Sequence, residues 1–256
     1  MSRREKIWWI IGGILIIIYC LFPIAWIVSL SFKAPSDIAT GSFLPTQATW
    51  QNYSDIFTGS ASDLFLPALR NSFGICLIAT FISCVLAMFA AYAIARLDFP
   101  GKTLILSTAL GVAICPVISI VTPLFNVWRQ IGLYDTWLGL IIPYLSLTLP
   151  ISIWTMSAFF REIPWEMEQA AQVDGATTWQ AFRKVIVPLA APGVFTTAII
   201  AFFIAWNDFA YGISLTSTSR ARPVPAALGL FSGASQFEDP TGAIAAAAVI
   251  VTIPVV

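Results

Sequence analysis

Histidine is missing altogether from these 256 residues. With it goes the side chain best suited to proton transfer near neutral pH and the commonest metal ligand. Charge is scarce too: only 10% of residues are Asp, Glu, Lys or Arg, against about 25% in an ordinary soluble domain. The formal net charge is zero, which leaves no electrostatic basis for holding nucleic acid. Four cysteines, Cys20, Cys76, Cys84 and Cys115, all lie inside apolar stretches. Their spacing matches no metal motif, and they read as small packing residues. The apolar runs contain no paired carboxylates, so a membrane-embedded enzyme lacks the groups it would need. No catalytic residue, metal site or cofactor site of the chain's own emerges.

What is abundant is apolar surface, 58% of residues with a mean hydropathy of +0.85. A bilayer core needs about 20 mostly apolar residues per helix. Runs at 7–32, 71–95, 103–125, 138–160 and 192–215 meet that length, and a sixth, 242–256, begins one and reads as cut short. The expected fold is therefore an all-α integral membrane protein. It has six transmembrane helices in a single transmembrane domain spanning 1–256. The first run is too long for a signal peptide, and no small-residue cleavage site follows it, so it reads as a retained helix.

Basic residues near helix ends set orientation. With a cytosolic N-terminus the inside holds Arg3, Arg4, Lys6, Arg96, Lys102, Arg161, Arg183 and Lys184. The outside holds Lys33, Arg70, Arg129, Arg220 and Arg222. That bias places 161–191, between the fourth and fifth runs, in the cytosol, and 33–70 and 217–241 outside.

The 161–191 stretch is the longest one not built for lipid, and its local chemistry is legible. Pro164 suits a first helical turn, where a missing N–H is harmless. Glu162, Glu166 and Glu168 crowd the helix start, where the dipole favours anions. Gly175, after Asp174, is a left-handed helix stop. Thr177 opens a second helix, with Gln180 completing a capping box. Trp179, Phe182 and Ile186 share one face by helical spacing, while Gln180, Arg183 and Lys184 point elsewhere. Pro188 marks a bend into the membrane. Two short helices meeting at a glycine turn suit either an interfacial element lying on headgroups or a docking knob for a cytosolic partner. Composition leaves both open.

The stretch "EQAAQVDGATTWQAFRKVIVPLAAP" resembles the E-A-A, three residues, G, nine residues, I-x-L-P loop of ABC-importer permeases. Ala170 and Ala171 take the paired alanines, Gly175 the glycine, and Val185 to Pro188 the closing places. Gln169 stands where the motif has Glu, with Glu168 one step earlier. The wider chain, in "SAFFREIPWEMEQAAQVDGAT", "AAYAIARLDFPGK" and "GLYDTWLGLIIPY", is similar to the carbohydrate-importing branch. It resembles the maltose-type second permease subunit, and the trehalose importers among them. The resemblance implies that the loop is a coupling helix seated on an ATPase subunit. It assigns Glu168, Gln169, Ala170, Ala171, Asp174, Gly175, Ala176 and Phe182 to that contact. It also implies three partners: a second homologous permease, a homodimer of ABC ATPase subunits carrying ATP and Mg, and an extracellular, lipid-anchored sugar-binding protein.

Nucleotide chemistry within this chain is excluded by spacing. Pro100-Gly101-Lys102-Thr103 ends like a phosphate loop, but Arg96 holds the place of the first glycine. A gradient-driven carrier or channel is the alternative. It would call for ionisable groups deep in the spans, and only Asp208, near the outer end of the fifth run, is on offer.

A sugar path needs aromatic faces for C–H surfaces and amides or carboxylates for hydroxyls. Trp206, Asn207 and Asp208 supply these in one turn, and Phe125 and Asn126, with Trp128, form a second cluster at another outer helix end. Either could instead be a polar helix end meeting water or a neighbouring helix. The outer segment "FSGASQFEDP" resembles, by position, the loop that enters the binding protein's cleft in maltose-type permeases. Gly233, Ser235 and Gln236 are its expected contacts.

Overall fold

The structure is a computed structural model. It describes residues 2–59, 61–231 and 240–255. Among the described residues the chain is helical, with one isolated β-bridge between Lys33 and Ala48. Residues fall into two compact units, Met1–Leu69 with Ala227–Val256, and Arg70–Ala226.

The first unit begins with α1 (Arg3–Ser31). Ser2 and Glu5 close the capping box at its start, the Glu5 carboxylate accepting from the Ser2 N–H at 2.7 Å. Nearly all of α1 is exposed and apolar; only its last turn holds buried residues, Ser29 and Ser31. There the Asn52 amide donates to the Ser31 and Lys33 carbonyls at 2.9 and 2.8 Å. It thereby satisfies helix-end acceptors that would otherwise have no partner. The short α2 (Pro35–Ile38) follows, and α3 (Gln51–Thr58) carries Asn52. Asp37 accepts from the Thr46 hydroxyl and, at 2.7 Å, from the Thr46 N–H. The Thr46 side chain is the main reason the Asp37 carboxyl is held below the usual aspartate range.

The helix α4 (Ser62–Arg96) runs far beyond the 71–95 expected from hydropathy. Its continuation in the second unit is followed by α5 (Lys102–Ala113), α6 (Val117–Ile131) and α7 (Trp137–Glu162). The expected single span 103–125 is not one helix: α5 and α6 meet at an 86° bend. Pro116 is the cause, because it offers no N–H to the preceding turn and drives Cys115 away from helical geometry. By contrast α7 continues unbroken through Pro143 and Pro150. Serine hydroxyls join α4 to α7 inside the core, Ser83 to Ser152 at 3.2 Å.

Next come α8 (Trp165–Val173), α9 (Thr178–Ala181), a π-helical segment Phe182–Ile186 and α10 (Val187–Leu189). Then α11 (Ala191–Trp206) packs along α7, and α12 (Ala210–Leu215) packs on α6 and α7. The expected span 192–215 therefore stops at Trp206 and restarts as a separate short helix. After α13 (Val224–Leu228), α14 (Thr241–Thr252) packs in the first unit against α1 and α3 through buried Ala245, Ala246 and Ala247. Among the described residues, by length and composition, three helices, α1, α4 and α7, can cross a bilayer, or up to five if each of two bent pairs counts as one span. The α14 helix is apolar but shorter.

Candidate functional site

The helix–turn–helix at 165–181 is built by its caps. Asp174 ends α8, and Gly175 takes φ +86°, a left-handed conformation that glycine adopts without penalty. The Ala176 N–H donates to the Ala171 carbonyl and the Gly175 N–H to the Gln172 carbonyl, both at 3.0 Å. That is a complete Schellman closure. One residue later Thr177 and Gln180 cap α9 reciprocally, at 2.9 and 3.3 Å. The two helices are thus locked back to back across four residues.

Past α9 the backbone widens into the π segment, and the Val187 N–H reaches the Phe182 carbonyl. Pro188 has no N–H to give, and a π turn beside it lets the neighbouring carbonyls find other partners. A 71° bend then separates Thr178–Leu189 from Ala191–Trp206. The bend falls at Ala190, two residues after the proline.

The inner face of this knob is well seated. Phe182, Ile186 and Ala190 join Ala91 of α4 and Met156, Phe160 and Ile163 of α7 and its end in one buried cluster. Phe182 sets its ring edge-on to Tyr92 at 4.8 Å, and Trp179 stacks on Phe182 at 5.5 Å and on Phe89 at 6.1 Å. Of the apolar stripe read from spacing, Phe182 and Ile186 form the anchoring face, while Trp179 lies over it, 56% exposed.

The tip is bare. Gln169, Ala170, Gln172, Asp174 and Gly175 are exposed, and Val173 is 87% exposed. Ala171 and Ala176 are half-buried. Two residues of the expected contact set turn inward instead: Phe182, in the anchoring cluster, and Glu168, only 3% exposed. Glu168 accepts from the Tyr92 hydroxyl at 2.5 Å, and its other oxygen lies 3.6 Å from Arg96 Nε. Tyr92 and Arg96, both in the last turns of α4, were not legible as part of this site. Arg96 reads from sequence as an ordinary inside-loop cation.

The two aromatic–polar clusters lie in the second unit, on neighbouring elements. Trp206 is buried, stacked on Phe202 at 5.2 Å and edge-on to Phe73 at 4.9 Å. Asn207 is exposed and donates back to the Phe203 carbonyl at 2.8 Å. Asp208 caps α12, accepting from the Gly212 N–H at 3.1 Å and the Tyr211 N–H at 3.5 Å. The buried Tyr144 hydroxyl stands near that carboxylate without closing a hydrogen bond of ordinary geometry. On α6, which α12 contacts, Phe125 packs edge-on to Tyr134 at 5.1 Å under the Arg129 guanidinium. Asn126 is exposed, and Trp128 is buried, donating to the Gly139 carbonyl at 2.7 Å. Because Asp208 is a cap, Asp208→Ala should lower chain stability by about 1 kcal/mol. Asp208→Asn should keep most of it. Thermal unfolding of the detergent-solubilised protein measures the difference.

Residues 217–222 are fastened within the second unit. Asp135 accepts from the Ser217 and Thr218 N–H groups at 3.0 and 3.2 Å. The Asn71 amide donates to the Ser219 and Arg222 carbonyls at 2.9 and 3.1 Å, and its oxygen accepts from Trp137 Nε1 at 3.1 Å. Gly233, Ser235 and Gln236, the expected binding-protein contacts, lie outside the described residues.

Comparison with known proteins is consistent along the whole length. The chain is 54% identical over 256 residues to the trehalose transport system permease protein SugB of Mycobacterium tuberculosis (strain CDC 1551 / Oshkosh), covering all of this chain and 92% of that one. It is 36% identical over 253 residues to the trehalose/maltose transport system permease protein MalG of Thermococcus litoralis, covering 98% and 90%. In fold it matches a chain of a bacterial ABC transporter involved in import of the acidic polysaccharide alginate. The TM-score is 0.82 at 22% identity, over 100% of this chain and 95% of that one. The profile of one family matches residues 1–256 from end to end. The chain belongs to that family, the inner-membrane components of binding-protein-dependent transport systems.

Proposed function

We propose that this chain is one half of the translocation pathway of an ATP-driven importer of a disaccharide, trehalose or a close relative. Membership of a binding-protein-dependent transport family makes it a transport component rather than an enzyme, and it sets aside a carrier working alone. Trehalose is favoured by the name of a relative identical at more than half of all positions. The observation that carries the mechanism is the knob at 165–181, closed by caps at its turn, anchored inward on α4 and α7, and bare at its tip.

In this reading the tip, with Gln169, Ala170, Asp174 and Gly175 outermost, sits in a cleft of an ATPase subunit. Ala171 and Ala176 flank the contact, and Phe182 ties it to the membrane helices. ATP and Mg are bound by that ATPase, a homodimer, and not by this chain. Six spans, an N-terminus in the cytosol and a second homologous permease complete the membrane part. A lipid-anchored sugar-binding protein delivers substrate from outside, and 232–239, with Gly233, Ser235 and Gln236, reaches its cleft. Sugar passes the outer ends of α6 and α11, where Asn126 and Asn207 offer exposed amides backed by Phe125, Trp206 and Asp208.

The test is reconstitution in vesicles. Labelled trehalose should enter only when ATPase, both permeases and binding protein are present with ATP on the ATPase side. Uptake by this chain alone, or without ATP, would overturn the reading.

A further inference from the structure

We infer that Glu168, Arg96 and Tyr92 form an internal pin through which the docking knob moves α4, and that Glu168 is not itself a contact of the ATPase. The inference rests on the docking reading above and assigns to Glu168 a positioning role within it.

Glu168 is the one buried residue of α8, and it is a carboxylate. Its helix neighbour Gln169 points outward, since successive residues on a helix do not share a face. The displacement of the motif's acid by one position therefore turns the charge from the tip to the interior. Glu168 meets there the last turns of α4. The Tyr92 hydroxyl donates to Oε1 at 2.5 Å, and Arg96 Nε lies 3.6 Å from Oε2, with the two side chains 4% and 5% exposed. Arg96 is held from two further directions. Its Nη2 donates to the Ile163 carbonyl at the end of α7 at 2.8 Å, and its guanidinium lies over the Trp165 ring at 4.9 Å. One arginine of α4 thus touches the end of α7, the first residue of α8 and the buried acid of α8.

Two properties make this a link rather than filler. Separating a buried ion pair leaves a desolvated charge without compensation, so the partners resist being pulled apart. A shift of α8 is accordingly passed to α4. Second, the ion pair is slack, because among the described residues Arg96 Nε and Glu168 Oε2 make no hydrogen bond to each other or to any other group. Pressure on the tip can close that gap before anything else must rearrange.

The experiment uses the whole importer, reconstituted with its partners, and three readouts: ATPase co-purification, sugar uptake per ATP hydrolysed, and thermal unfolding. Glu168→Gln should leave ATPase co-purification within about twofold of normal while uptake per ATP falls about tenfold, a size typical of coupling between sites. Tyr92→Phe, which keeps the ring packing, should lower the ratio in the same direction by less. The reversed pair Glu168→Arg with Arg96→Glu should recover uptake per ATP above either single change. Gln169→Arg, at the tip, should instead lose the ATPase.

Loss of the ATPase on Glu168→Gln, as on Gln169→Arg, would make Glu168 a docking contact and overturn the pin. Unchanged uptake per ATP in both Glu168→Gln and Tyr92→Phe, with lowered stability alone, would make it a structural brace and also overturn it. If Gln169→Arg leaves recruitment and uptake untouched, the docking reading fails and the pin falls with it.

Discussion

Gly175→Trp should leave the chain folded and in the membrane yet reduce ATP-driven uptake by about tenfold or more, within the range for coupling between sites. The effect has two separable sources. Gly175 sits at φ +86°, where any residue with a Cβ costs about 1–2 kcal/mol. That strain loosens the Schellman closure but is small beside the packing that holds Phe182 and Ile186. A clash inside the chain is not the source: a Cβ built on Gly175 meets nothing within 4 Å. The indole therefore projects from an exposed tip into whatever covers it. Gly175→Ala isolates the backbone share and should lose far less than the tryptophan. Uptake into vesicles and ATPase co-purification, compared across the two variants, separate strain from obstruction. Full uptake by the tryptophan variant would mean that nothing docks there.

Sequence carried the parts of this site that are local. A glycine stop followed two residues later by Thr177 and, three further on, by Gln180 defines two caps, and both close as expected. The stripe of Trp179, Phe182 and Ile186 is read from periodicity; Phe182 and Ile186 pack in the core, while Trp179 stays largely exposed. What escaped depends on residues distant in the chain or on competition between backbone preferences. Glu168 and Tyr92 are 76 positions apart, and no local rule pairs them. Asn71 meets the Ser219 carbonyl across 148 positions, so a polar residue at the start of an apolar run read only as a boundary. Prolines within the apolar runs act differently according to their surroundings. Pro116 breaks a helix to 86°, while Pro143 and Pro150 leave α7 continuous. Hydropathy counts apolar residues and is blind to whether neighbouring helices compensate the lost hydrogen bond.

Gly193 presents the largest effect expected on stability. It begins a row of small buried residues on α11, namely Gly193, Thr197, Ala201 and Ala205, spaced four apart and lying along α7. In lipid, helices associate through close backbone approach at such rows, because apolar surface alone gives no preference for protein over acyl chains. The approach is closest at the first position. A Cβ at Gly193 would stand 2.4 Å from Cγ and 2.7 Å from Cβ of Phe159. Those atoms lie next to the Phe159 backbone, so the ring cannot swing clear, and the helices must separate instead. Gly193→Leu should cost at the upper end of the roughly 1–3 kcal/mol typical of overpacking, or beyond it. It should also shorten survival of the protein in detergent. Gly111→Leu is the matched control, since a Cβ there meets nothing within 4 Å, and it should leave thermal unfolding unchanged. The position of Gly193 ties this stability to coupling. It sits three residues past Ala190, at the bend between Thr178–Leu189 and α11, so under the proposed docking role opening the α7–α11 contact would free the end of the lever that the knob moves. Uptake should therefore fall in Gly193→Leu even at temperatures where the protein remains folded, and a loss confined to thermal stability would show that the bend transmits nothing.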